Sequence, residues 1–187
     1  MFNLITVSQN YKKQADQLLS DKGLAAFLAT FGSFSFTGAY AHDIMMSGDI
    51  DILISKPTGY SNKEVLAIFN SLYLANNFRS YFLKGDWQDP RLGQEFPIGY
   101  YIGLKEKIKE ESWKIDIWFV STAEAKRLEK TDLLSKKRIN EKEKALILKI
   151  KKYRQDNNLS FSSQTIYQAV LEQRIVSFED FIKRIKV

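Results

Sequence analysis

The chain reads as an α/β (α+β) fold, a mixed β-sheet with flanking helices and a helical C-terminal part. Two observations lead there. Short runs with two-residue apolar alternation, at 33–37, 49–54 and 114–120, are separated by longer runs whose apolar residues return at helical spacing. From Thr122 onward the helical spacing takes over almost completely. Mixed periods of this kind favour a sheet covered by helices over a bundle or a sandwich.

In chain order, Ser8 to Thr30 predicts an opening helix, with Ala15, Leu18, Leu19, Leu24, Phe27 and Leu28 on its apolar side and Gly23 as a weak point. Ser33 to Thr37 predicts the first strand, followed at once by a Gly38-Ala39 turn and a short helix over Tyr40 to Met46. A second strand carries Ile50, Ile52 and Ile54. Pro57-Thr58-Gly59 then breaks the chain, and Ser61 or Asn62 caps a helix through about Ala75. Further strands are expected at 78–83, 98–104 and 114–120. Between the first two of these, 84–96 reads as a long loop containing Gly85, Pro90 and Gly93, with Asp86, Trp87, Asp89, Arg91 and Glu95 more plausible as surface than as acceptor contacts. The mixed-sign run at 105–111 reads as a solvated hairpin tip. Helices after Thr122 are expected to pack against the sheet edge, which divides the chain into a core of 1–121 and a helical region of 122–187.

The second strand holds the most chemistry. Successive strand side chains point to opposite faces, so Asp49 and Asp51 project together while the isoleucines enter the core. Neighbouring carboxylates repel and raise one another's pKa unless a cation sits between them. In Trp113-Lys114-Ile115-Asp116-Ile117-Trp118-Phe119-Val120, Asp116 faces away from Ile115, Ile117 and Phe119. If this strand lies beside the second, three carboxylates meet at one rim. Such a cluster can hold two hard divalent ions, magnesium or manganese, about 3.5 to 4 Å apart. Zinc is not expected, since the chain has one histidine and no cysteine.

Gly38, the small residue Ala39, the spacer from Tyr40 to Gly48, Asp49-Ile50-Asp51 flanked by aliphatics and the later apolar strand at Asp116 together resemble the DNA polymerase beta-like nucleotidyltransferase superfamily, in a small, minimal form. The resemblance covers about Phe34 to Val120. It implies that Asp49 and Asp51 bind two magnesium (or manganese) ions, and that Asp116 holds the catalytic metal and assists deprotonation of an acceptor hydroxyl. It also implies that Gly38 and Ala39 cradle a triphosphate. Ala39 stands where the family usually has serine. His42, the lone histidine, stands where it often has a basic residue and completes the expected nucleotide-binding set. The implied reaction moves a nucleoside monophosphate from a nucleoside triphosphate, ATP by expectation, to an acceptor hydroxyl on a small molecule, an RNA or a protein, with release of pyrophosphate. The alternative is a catalytically inactive member of the fold, a nucleotide-sensing or antitoxin-like partner-binding module, which Ala39 favours. Lys105 and Lys114 are candidates to reach the triphosphate. Tyr153, Tyr167 and Arg174 are candidates for the base or acceptor.

Composition agrees with an intracellular enzyme. With 187 residues, 44% of them hydrophobic, the chain can bury one good core and a helical appendage. The absence of cysteine excludes disulfides and thiol nucleophiles, and no apolar run is long enough to cross a bilayer. Without a recognisable signal core at the N-terminus, a cytoplasmic location is the expectation. The net charge of +6 suits a polyanionic partner, although much of the excess lies in 126–152, where acids alternate with bases as on a solvated helix.

Overall fold

The computed structural model of the protein describes residues 3–85 and 96–185. Helix α1 (Leu4–Asp21) starts at Asn3, whose side chain accepts from Ile5 N at 3.0 Å. The single helix expected over 8–30 is two helices. Gly23 adopts φ +57°, a left-handed conformation that interrupts the helix and starts α2 (Leu24–Ala29). Strand β1 (Ser33–Thr37) is followed by the four-residue helix α3 (Gly38–Ala41), which ends before the irregular segment leading to β2 (Asp49–Lys56). Helix α4 (Asn62–Ala75) opens with a capping box in which Ser61 and Glu64 satisfy each other's backbone N–H groups.

Strands β3 (Ser80–Lys84), β4 (Gly99–Ile108) and β5 (Glu111–Ser121) complete the sheet. The long loop expected over 84–96 falls mostly outside the described residues, as do Asp86, Trp87, Asp89, Arg91 and Glu95. The charged run at 105–111 is not all turn: β4 and β5 pair out to Ile108 and Glu111, leaving Lys109 and Glu110 at the tip with Lys109 at φ +56°. Alternating charged side chains suit the solvated end of a hairpin as well as they suit a loop.

The sheet is mixed, as expected, with the order β1-β2-β5-β4-β3. Only β2 and β5 run parallel, and α4, β3 and β4 supply the chain needed to return in the same direction. One face packs Ile50, Ile52 and Ile54 of β2, Ile115, Ile117 and Phe119 of β5 and Ile102 and Leu104 of β4 against α1, α2 and α4. The other face carries the acids.

The remaining helices are α5 (Thr122–Thr131), α6 (Leu133–Lys136), α7 (Glu141–Asp156), α8 (Ser163–Tyr167), continued by a π-helical turn (Gln168–Glu172), and α9 (Phe178–Ile185). Helix α5 contacts the interior strands β2 and β5, and α7 contacts α1. Their apolar residues form a second cluster around Ile147, Leu148, Ile150, Ile166 and Phe181, which also takes in Ile44 and Met46. Leu4, Ile5 and Val7 of α1 pack on it too, so α1 serves both clusters.

Gly48 sits just before β2, where a Cβ would stand 2.6 Å from the buried Trp113 ring. Gly48→Ala should therefore lower stability by about 1–3 kcal/mol through overpacking, seen as a lower urea midpoint at unchanged slope.

Candidate active site

The site is assembled by register. Thr37 pairs with Asp51 across β1 and β2, and Asp51 pairs with Asp116 across β2 and β5. At Gly38, φ is +63°, and a Cβ there would collide with Asp51 Oδ2. Glycine is thus required twice at this turn, for the dihedral and for the close approach. Ala39 is partly buried and packs against both apolar clusters. Its methyl group therefore does structural duty.

His42 follows a different course. Half-buried after α3, it lines a separate cavity of about 410 Å³ with Lys137, Arg138 and Lys144, whereas Gly38 and Asp51 line a larger cleft of about 1010 Å³. Burial lowers the His42 pKa, while Asp132 and Asp43 act against the shift. Asp43, at φ +55°, turns the chain there, which is also why no helix spans Tyr40 to Met46.

Four side chains from two helices hold this segment by its carbonyls. From α1, Lys12 Nζ donates to Tyr40 O at 2.8 Å and Ser8 Oγ to Asp43 O at 3.0 Å. From α7, Lys151 Nζ donates to Ile44 O at 2.9 Å and Gln155 Nε2 to Met46 O at 2.8 Å. Asp43, Ile44 and Met46 lie outside any helix or strand, so their carbonyls depend on such donors, while Tyr40 O also accepts from Asp43 N. Lys151 is only 4% exposed, and burial, reinforced by Arg154 and opposed by Asp49 and Asp51, pulls its pKa down to about 7. Sequence reading missed it, yet Ile147, Leu148 and Lys151 share one helical stripe, which was the available signal.

Asp49, Asp51 and Asp116 each offer a carboxylate oxygen, all within 4.8 Å of one another. Asp116 is gripped at both oxygens. The Tyr101 hydroxyl donates to Oδ1 at 2.5 Å, and Lys114 Nζ stands 2.6 Å from Oδ2. Tyr101 reaches across Gly103, where a Cβ would come within 2.5 Å of the tyrosine hydroxyl. Lys114 Nζ is 3.6 Å from Asp49 Oδ1, beyond hydrogen-bond range, and that shielded oxygen has no hydrogen-bond partner among the described residues.

Burial, then the charges of Asp49 and Asp116, push the Asp51 pKa up to about 7. Burial also raises Asp49, against the pull of Lys114. Burial acts to lower Lys114, but Asp49, Asp116 and Asp51 outweigh it and hold the ammonium above its usual range. An all-oxygen donor set with one shielded oxygen lacking a hydrogen bond fits a hard divalent cation.

The cleft runs from Gly38 and Asp51 along Ser35 and Thr37 to α5, where Lys126 and Glu129 face it, and Tyr167 lines its far wall. Of the other candidate contacts, Tyr153 stacks edge-on against Phe178 at 5.0 Å, and Arg174 occupies a φ +53° position after the π-helical turn.

No protein-family model and no curated protein matches the chain. Among solved structures it is similar to a chain of the non-canonical poly(A) polymerase complex GLD-2 - GLD-3, with 12% identity and a TM-score of 0.45, over 91% of this chain and 58% of that one. Among the described residues, no helix is long and apolar enough to cross a membrane.

The raised Asp51 pKa fixes a pH dependence. Between about pH 4 and pH 7 the folded protein keeps a proton that the unfolded chain releases, so metal-free stability falls as pH rises through that window. In EDTA, the wild type should lose more melting temperature between pH 5 and pH 8 than Asp51→Asn, which lacks the titrating group. Equal losses would contradict the assignment.

Proposed function

We propose that the protein is a nucleotidyltransferase that transfers a nucleoside monophosphate from a nucleoside triphosphate to an acceptor hydroxyl. The observation that carries this reading is the meeting of Asp49, Asp51 and Asp116 on one sheet face with the Gly38 turn packed against Asp51. In the reaction, the acceptor oxygen bonds to the α-phosphorus, the bond from that phosphorus to the β-phosphate bridging oxygen breaks, and pyrophosphate leaves.

Asp49, Asp51 and Asp116 would hold one or two magnesium or manganese ions. When bound, such ions neutralise developing negative charge and acidify the attacking hydroxyl. The chain's own residues provide position. The Gly38 turn, without a side chain, lets backbone approach the phosphates, and Ala39 anchors α3 in the apolar clusters. Tyr101 orients Asp116 by binding Oδ1, and the Asp116 carboxylate assists removal of the hydroxyl proton. His42, if it contacts nucleotide, does so from the neighbouring cavity.

ATP is the nucleotide to try first. The acceptor belongs to the approximately 1010 Å³ cleft, under the helices of 122–187, which we treat as the substrate-shaping part beside a 1–121 core. We place the reaction in the cytoplasm. The rival reading, a non-catalytic binding module of the same fold, draws support from Ala39, whose packing role removes a hydroxyl from the phosphate turn.

Incubated with α-labelled ATP, magnesium and a mixture of RNA, protein and small-molecule hydroxyl acceptors, the wild type should move the label onto an acceptor and release pyrophosphate, and Asp51→Asn or Asp116→Asn should reduce that rate by about a thousandfold or more while still folding. Turnover retained in either variant would reject the assignment of these acids to catalysis, and no turnover by the wild type would reject the enzyme reading. ATP with magnesium raising the melting temperature, without pyrophosphate release in the presence of acceptor, would favour the binding module.

A further inference from the structure

The ground between the carboxylates is already claimed by a side chain. Lys114 arises opposite Asp49 in the parallel register and directs Nζ to 2.6 Å from Asp116 Oδ2 and 3.6 Å from Asp49 Oδ1. Among the described residues, no other cation lies within ion-pair distance of the three acids. With Asp116 Oδ1 taken by Tyr101, the oxygens left to a divalent ion are Asp116 Oδ2, which Lys114 binds, and Asp49 Oδ1, which Lys114 faces and which has no hydrogen bond among the described residues. Ammonium and metal compete for the same oxygens.

We propose that Lys114 is an internal counter-ion that fills the cation site of the metal-free protein and must be displaced by the divalent ions, so that it sets their affinity. This rests on reading Asp49, Asp51 and Asp116 as the metal ligands. The lysine has room to leave, because its side chain is 47% exposed while Asp116 is only 13% exposed. Lys151, the other cation near the acids, is bonded to Ile44 O and buried, so it cannot follow the same exchange. Displacement also turns a consumed charge into an available one. Once free, the ammonium stands at the site where an anionic substrate would arrive, which couples metal loading to phosphate binding.

The competition has a size. If the ion-paired conformer makes up about nine-tenths of the metal-free protein, apparent metal affinity is weakened about tenfold. A neighbour separates this from a general field effect. Lys105 lies directly opposite Lys114 across β4 and β5 and is exposed, with no ion pair to the acids.

The test is isothermal titration of Mn²⁺ into the full chain as wild type, Lys114→Met and Lys105→Met, with circular dichroism on each. Lys114→Met should bind Mn²⁺ about tenfold more tightly than wild type, and Lys105→Met within about twofold. If Lys114→Met fails to fold, Lys114→Gln carries the same comparison. Affinity unchanged or weakened by loss of Lys114, or tightened no more than by loss of Lys105, would overturn the counter-ion role and leave the metal site standing. No Mn²⁺ binding by any of the proteins would overturn the metal site, and the counter-ion role with it.

Discussion

The parallel pairing of β2 with β5 is the constraint on which the rest of the structure depends. It sets Asp51 opposite Asp116 and Ile50, Ile52 and Ile54 opposite Ile115, Ile117 and Phe119. A slip of one residue would turn Asp116 into the core and Ile117 out of it, at the cost of an unpaired buried charge. The aliphatic face therefore specifies the register, and the register brings the carboxylates together. Packing on one side of the sheet determines chemistry on the other.

That chemistry is electrostatically expensive. Two full charges 4 Å apart repel by on the order of 4 kcal/mol at an effective dielectric of 20, a large part of a typical domain's stability of about 5–15 kcal/mol. The fold offsets this in three ways. Lys114 bridges Asp116 and Asp49, Tyr101 donates to Asp116, and Asp51 retains a proton up to about pH 7. Burial and repulsion win at Asp51, which has no ion pair among the described residues. At Lys114 the carboxylates win over burial.

Much of the scaffold was legible because local signals and tertiary packing agree. The alternation at 33–37 and 49–54, the Ser61 cap and the helix to Ala75 all formed as read, and Gly23 was a weak point that became a break. The three acids were legible from their phase against the isoleucines. What escaped depends on partners distant in the chain. Of Lys149, Lys151 and Lys152 only Lys151 is buried, because a carbonyl at Ile44 receives it. The Tyr101 bond exists only once β4 pairs with β5 and Gly103 leaves a path for the ring. His42 follows the glycine turn closely in sequence, but where it points depends on Asp43, whose positive φ leaves the imidazole lining a second cavity.

The carbonyls between Gly38 and Asp49 are tied to α1 on one side and α7 on the other, elements near the two ends of the chain. The sheet alone can put the acids in register, but it cannot fasten the segment that joins them to the glycine turn. A partly folded chain with its strands paired and α7 still undocked would have its ligand oxygens aligned and its turn loose. Affinity for a cation and affinity for a nucleotide would then be acquired at separate stages of folding, the second only after the last long helices close on the segment.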